Sequence, residues 1–360
     1  MLVAKIWTLG KIIGPIAALI TVFLFWTNSP NGLQALVIIS ILVGAIVAAV
    51  HYAEIISAYV GRSFGAVILA MSVTVIEVGL ILAIMSSTDG GSPSLARETV
   101  FSAIMITCNG IIGFSIIAAC RKMESPTFNS EGSGATLSAI ATIATLSLVL
   151  PSFTKGSAGP TFTPSQLAFV AMVSLGVYLL YLYVLTVRNR EHFEDPENLV
   201  VVPYAHQPTK TVFRNSIFQL IIALVSVIGL AKIISPSIQG FVLDAGYPLS
   251  SVAVAVALVI LAPEGLAAIK SSNRGDMQTG FNLAYGSALA SIGLTIPALA
   301  IASWVMGIEL QLGLSATEIV LFVLTMIVSL VTVSSHRVTL FQGGLHIVIF
   351  SAFLFLAINP

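Results

Sequence analysis

Residues 64–87 read FGAVILAMSVTVIEVGLILAIMSS. An α-helix needs about 20 apolar residues to cross the hydrocarbon core of a bilayer, and this run is long enough with one charge in it, Glu77. Runs of similar size, separated by polar or Gly/Pro clusters, lie at 10–27, 33–58, 97–119, 136–153, 165–188, 212–234, 248–271, 277–306, 314–334 and 337–358. The pattern predicts an all-α polytopic membrane protein of about eleven transmembrane helices. A membrane β-barrel would show alternating segments of ~10 residues, and none is visible. The first run reads as a retained membrane helix, because no convincing small-residue cleavage site of a signal peptide follows it.

Composition agrees. Of 360 residues, 57% are hydrophobic and 8% charged, where a soluble domain carries roughly 25% charged residues. Fifteen basic and fifteen acidic residues cannot cover a water-facing surface of this size, and they give zero net charge with no basic tract. A soluble enzyme, a disordered chain and a nucleic-acid binder are therefore excluded. Cys108 and Cys120 form no disulfide framework.

Lys and Arg set the expected orientation. With the N-terminus inside, the cytoplasmic segments hold Lys5, Lys11, Arg62, Arg121, Lys122, Arg188, Arg190, Lys210, Arg214, Lys270, Arg274 and Arg337, whereas the other side holds Arg97, Lys155 and Lys232. Such a bias is the positive-inside pattern, and a missed helix would scramble it. Between the sixth and seventh runs lies the longest charged stretch, Arg188-Asn-Arg-Glu-His-Phe-Glu-Asp-Pro-Glu-Asn198. The reading is an N-terminal extra helix over 1–32, a first five-helix repeat over 33–188, an acidic cytoplasmic linker over 189–211 and a second repeat over 212–360. The linker is a solvated hinge, or a cytosolic cation or pH sensor built from Glu191, His192, Glu194, Asp195 and Glu197.

The halves repeat weakly. Residues 98–117, ETVFSAIMITCNGIIGFSII, align with 278–297, QTGFNLAYGSALASIGLTIP, pairing Thr99 with Thr279, Phe101 with Phe281, Gly113 with Gly293 and Ser115 with Thr295. Each segment follows a run with one embedded carboxylate, Glu77 or Glu264. Five helices per repeat is an odd number, so the second repeat enters from the opposite side. Inverted repeats of this kind belong to secondary transporters.

Glu77 lies thirteen residues into its run, about 20 Å at 1.5 Å per residue, near mid-membrane. A charge there costs at least ~2.5–3.5 kcal/mol on insertion scales, so the group must be protonated, paired or bound to a cation. No Lys or Arg shares either helix at matching depth, which leaves proton or cation. Competition between the two for the same oxygens is the chemistry of an antiporter. Hard cations prefer oxygen, and Ser72, Thr74, Asn109, Asn282, Ser287, Ser291 and Thr295 are auxiliary ligand candidates, each with helix packing as the plainer role. Pro263 frees a helical carbonyl next to Glu264, a second source of ligand oxygen. His51 and Glu54 stand near the cytoplasmic boundary, where Glu54 snorkels to water or the two form a proton relay or vestibule.

The stretches HYAEIISAYVGRSFGAVILAMSVTVIEVGLI (51–81), IMITCNGIIGFS (104–115), ILAPEGLAAIK (260–270) and NLAYGSALASIGLTIPA (282–298) resemble bacterial cation/proton antiporters of the calcium:cation antiporter superfamily, nearest its calcium/proton and sodium-potassium/proton branch. The resemblance covers nearly the whole chain. It implies eleven helices, a five-plus-five inverted repeat, alternating access, and Glu77 and Glu264 as the metal- and proton-binding residues of the signature repeats. One departure stands out: many calcium/proton exchangers place Asn three residues before each Glu, where this chain has Thr74 and Leu261.

The expected activity is exchange of a cation, Ca²⁺ first with Na⁺ or K⁺ as alternatives, for protons across the bacterial cell (inner) membrane. Its partners are inorganic cations, protons and the lipid bilayer, without a cofactor or nucleic acid; a homo-oligomer is left open. A cation channel is the alternative, although a continuous pore usually comes from oligomer symmetry and this chain carries its own two-fold. An intramembrane enzyme ranks lower: no His-Glu-x-x-His and no paired membrane aspartates appear, and His346 alone is weak evidence for a base.

Overall fold

The eleven apolar runs form eleven helical rods in a computed structural model of the chain, which describes residues 2–26, 30, 32–60, 62–86, 93–188, 193, 208–248 and 250–360. In chain order these are α1 (Leu2–Phe25), α2 (Gly32–Val60) and α3 (Arg62–Met85), then α4 (Leu95–Met105), which continues through a π-helical turn (Ile106–Ile111) into α5 (Ile112–Cys120). Next come α6 (Ser130–Ala144), extended by a π-turn (Thr145–Val149) and a 3₁₀ turn (Leu150–Ser152), and α7 (Pro164–Tyr183), extended by a π-turn (Val184–Arg188). Beyond the linker follow α8 (Lys210–Asp244), α9 (Ser250–Ser272), α10 (Met277–Met306), α11 (Ala316–Ser334) and α12 (Leu340–Ile358). Ten rods among the described residues are long and apolar enough to cross a bilayer. Large apolar side chains face outward, among them Phe23, Leu33, Val305 and Phe341. In water such a surface would drive association; against lipid tails it is solvated. The chain is an integral membrane protein.

Several boundaries differ from the sequence reading, and α1 begins at Leu2, eight residues before its apolar run. The rod of α6 starts at Ser130, six residues before the apolar run, because Asn129 caps it: its side-chain oxygen accepts the Glu131 N–H at 3.0 Å. Helix α8 continues past Pro236 to Asp244. Proline removes one N–H, yet the turn around it gains side-chain bonds: Gln239 Nε2 donates to Ser235 Oγ at 2.9 Å and Ser237 Oγ to the Pro30 carbonyl at 3.3 Å. Other ends follow their sequence signals. Thr163/Gln166, Ser315/Glu318 and Thr339/Gln342 form capping boxes at the starts of α7, α11 and α12.

Packing forms two compact units, each drawing on both sides of the linker. The first comprises residues 1–92 and 202–252, the second 93–201 and 253–360. In the first unit α2 packs on α3 and α8, and α1 on α2 and α8. At the second unit's centre stands the α4–α5 rod, with 89% of its most apolar window buried, against 28% for α12. Small residues permit its close contacts. A Cβ on Gly113 would lie 2.8 Å from Ile347 Cδ1 and 3.2 Å from the Gly343 carbonyl oxygen of α12, and one on Gly293 would lie 2.7 Å from Tyr178 Cβ of α7. The two glycines paired by the sequence repeat are thus both points of helix contact.

Candidate functional site

Glu77 lies on α3 in the first unit and is 3% exposed. Three and five residues before it on the same helix, Thr74 and Ser72 are buried, and their hydroxyls donate back to their own helix, to Ala70 O at 2.9 Å and Ile68 O at 2.8 Å. Such bonds satisfy a hydroxyl in a membrane helix without a partner helix. They leave each oxygen's lone pairs as acceptor capacity.

Glu264 lies on α9 in the second unit, partly exposed. Ser287 Oγ of α10 donates to its Oε2. A serine that faces a carboxylate holds it in one orientation and lends a second oxygen beside it. Pro263 does not open the helix: α9 is continuous from Ser250 to Ser272. Irregular backbone is found in the π-turn at Ile106–Ile111. A π-turn carries one residue more than the α-helix allows, and such turns gather at functional sites. Its ladder defect places Asn109 among buried groups, with Oδ1 3.2 Å from His346 Nδ1 and Nδ2 donating to Thr325 Oγ1 at 2.9 Å.

Asn282 is also engaged at both ends. It donates through Nδ2 to the Phe193 carbonyl at 2.7 Å and accepts from Gln278 Nε2 at 2.9 Å. Phe193 is buried, its ring 6.0 Å edge-on from Tyr181. Ser291 and Thr295 are buried on the same helix. Towards the C-terminal end of α2, His51 Nδ1 and Glu54 Oε2 are 3.9 Å apart with side chains 31% and 57% exposed, so Glu54 is an exposed group and His51 its neighbour. The proposed sensor residues Glu191, His192, Glu194, Asp195 and Glu197 lie outside the described residues. Among the described residues no cluster of three His, Cys, Asp or Glu side chains forms a ready metal cage.

The structure thus brings together Glu264 with Ser287, and Asn109 with His346 and Thr325, within the second unit, while Ser72 and Thr74 share α3 with Glu77. Sequence reasoning weighed His346 only as an isolated base and missed the hydroxyl face of α11. The available signal was the spacing of Thr325, Ser329 and Thr332, a helical stripe of small polar residues in an otherwise apolar run.

A family pattern described as sodium/calcium exchanger protein matches residues 32–187 and 215–359, on either side of the linker. The chain belongs to this family. Its members are transporters. Among relatives, the putative ionic transporter y4hA of Sinorhizobium fredii is 39% identical over 320 residues, covering 89% of this chain and 87% of the relative. The sodium-potassium/proton antiporter ChaA of Escherichia coli is 31% identical over 354 residues, covering 96% of this chain and 94% of that one. Solved structures share the fold. Native YfkE superposes with a TM-score of 0.72 at 16% identity over 98% of this chain and all of that one. The H⁺/Ca²⁺ exchanger CAX gives 0.70 at 16% identity over 98% and 92%.

One prediction arises from Ser287. Ser287→Ala removes the hydroxyl donor to Glu264, and a hydrogen bond to a charged group is worth about 1.5–3 kcal/mol. Cation-driven proton flux in reconstituted vesicles should fall about tenfold or more by that measure, and Ser287→Thr, which keeps the hydroxyl, should retain most of it. Unchanged flux in the alanine variant would remove Ser287 from the site.

Proposed function

We propose that the chain is a secondary antiporter that exchanges a cation for protons by alternating access, with Glu77 and Glu264 binding cation or proton in competition. The observation that carries the reading is Glu77, a carboxylate 3% exposed on an apolar helix of a sodium/calcium exchanger family member. An embedded carboxylate is tolerable when protonated or when neutralised by a bound cation, and a group stable in either of those two states, but not bare, couples the two movements. Glu264, with Ser287 as its donor, supplies the counterpart on α9.

Two carboxylates match the charge of one Ca²⁺, which makes Ca²⁺ the first substrate of the reading. A second reading, Na⁺ or K⁺, is favoured by Thr74 and Leu261, which stand where many calcium/proton exchangers have asparagine, and by the likeness to ChaA over nearly the full chain. With fewer amide oxygens, one glutamate can hold a monovalent cation while the other keeps its proton. The acidic linker acts in this reading as a cytosolic hinge or sensor, and the bacterial inner membrane is the expected location.

The test is a proton-loaded proteoliposome with a pH-sensitive dye inside, to which Ca²⁺, Na⁺ and K⁺ are added separately. The transported cation should collapse the pH gradient in a saturable way. A gradient that survives all three would reject antiport of these ions.

A further inference from the structure

The interior of the second unit holds a closed set of polar side chains that the proposed exchange does not yet use. Asn109, Thr325, Thr332 and His346 are each 0% exposed and come from three elements, the π-turn, α11 and α12. Their hydrogen bonds fix one another's roles. Asn109 Nδ2 donates to Thr325 Oγ1 at 2.9 Å, so its Oδ1, 3.2 Å from His346 Nδ1, is an acceptor and Nδ1 carries the hydrogen. His346 Nε2 lies 3.1 Å from Thr332 Oγ1. A neutral imidazole donating through Nδ1 accepts the threonine hydrogen there, with one donor and one acceptor both matched. Thr325 completes the chain towards Met105 Sδ at 3.4 Å.

Packing alone does not require these groups. Helix α12 already meets α5 through the Gly113–Gly343 approach, and apolar side chains would fill the same volume without the desolvation cost of burying polar ones. What the imidazole adds is direction: it holds one oxygen of one side chain in a turn whose hydrogen-bond ladder is irregular. Resting on the antiport reading above, we propose that His346 is a positioning residue for transport, its Nδ1–H holding the Asn109 amide oxygen and thereby the Ile106–Ile111 turn in one geometry. Thr332 orients the imidazole from its far side, and Thr325 takes the amide nitrogen.

The test uses the full-length protein and four variants. His346→Asn places an amide N–H close to Nδ1 and keeps the bond to Asn109. His346→Gln places its amide near Nε2 and loses that bond, and His346→Leu loses both. Thr332→Val disturbs the same network on the side away from Asn109. Two readouts are taken: the cation concentration giving half-maximal proton flux, and backbone hydrogen exchange of the peptide spanning residues 104–113. A lost hydrogen bond in a desolvated site corresponds to about a tenfold change in an equilibrium. Accordingly the Gln and Leu variants should shift half-saturation at least about tenfold and speed exchange of that peptide by a similar factor. His346→Asn should stay near wild type in both, and Thr332→Val, which leaves the imidazole without its far-side partner, should move both in the same direction as the Gln variant but less. Gln or Leu variants with unchanged flux and protection overturn the proposal, and so does an Asn variant as defective as the Gln variant. Hydrogen exchange needs no transport, so a wild-type protein that moves no cation rejects the antiport reading while the 104–113 peptide still decides whether His346 holds the turn.

Discussion

Glu77→Gln and Glu264→Gln each abolish cation-driven proton flux in proteoliposomes while the purified protein remains folded. Glutamine keeps the volume and much of the hydrogen-bonding capacity of glutamate but cannot ionise, so it neither carries a proton nor neutralises a cation. At Glu77 the change is also benign for folding. A neutral amide at 3% exposure on an apolar helix is easier to bury than a carboxylate, whose cost at bilayer depth is at least ~2.5–3.5 kcal/mol. Unaltered chromatographic behaviour with lost flux is the expected pair of observations. Asp substitution at either position keeps the charge but withdraws it by one methylene, and partial flux is expected. A glutamine variant that exchanges at the wild-type rate would take that residue out of the mechanism.

The second large effect falls on the end of the second unit that the charge bias places outside the cell. There Gly313 is buried among backbone: its N–H donates to Pro160 O at 3.0 Å, its carbonyl accepts from Arg97 Nη1 at 3.0 Å, and Ser152 Oγ donates to the next carbonyl, Leu314 O, at 2.7 Å. A Cβ at Gly313 would stand 2.5 Å from Ser152 Oγ, 2.7 Å from Pro160 Cβ and 2.8 Å from Ser152 N. The last is backbone and cannot rotate away, so the 150s loop must shift. Overpacking of this kind costs about 1–3 kcal/mol, and Gly313→Val should exceed Gly313→Ala. The disturbance also reaches Arg97, which bridges Glu98 at 3.2 Å and Glu318 at 3.7 Å with all three side chains under one-fifth exposed. Loss of a paired cation from such a cluster leaves carboxylates unmatched. Thermal midpoints of the detergent-purified variants should fall in the order wild type, Ala, Val. An alanine variant as stable as wild type would mean that the contact is not as tight as the geometry shows.

Hydropathy made the helices legible because lipid imposes a single rule, about 20 apolar residues per crossing, and Glu77 and Glu264 stood out against it. Capping boxes were readable in principle, since Thr163-Gln166 and Ser315-Glu318 have the spacing their geometry needs. The π-turn at Ile106–Ile111 was not readable. One inserted residue in a helix buried on all sides leaves no periodic trace, because no exposed face sets a phase for it to shift. Pro263 lacks one donor, yet α9 runs through it, because a helix embedded among others tolerates that loss. His346 looked isolated because its partners, Asn109 and Thr332, are 237 and 14 residues away in sequence, and only the packing of α12 against the α4–α5 rod unites them. The Thr99/Thr279 to Gly113/Gly293 register suggested two halves, whereas each compact unit draws on both sides of the linker, a division that helix order does not reveal.

The central claim is that cation and proton occupy the same carboxylates in turn. Its most direct measurement is proton release on cation binding, read with a pH indicator in weakly buffered solution of the purified protein under equilibrium binding of the transported ion. Binding should release at least one proton per cation from the wild-type chain, and the release should vanish in the Glu77→Gln/Glu264→Gln double variant together with binding. Saturable cation binding by the wild-type protein without proton release, or unchanged binding and release in the double variant, would contradict the account.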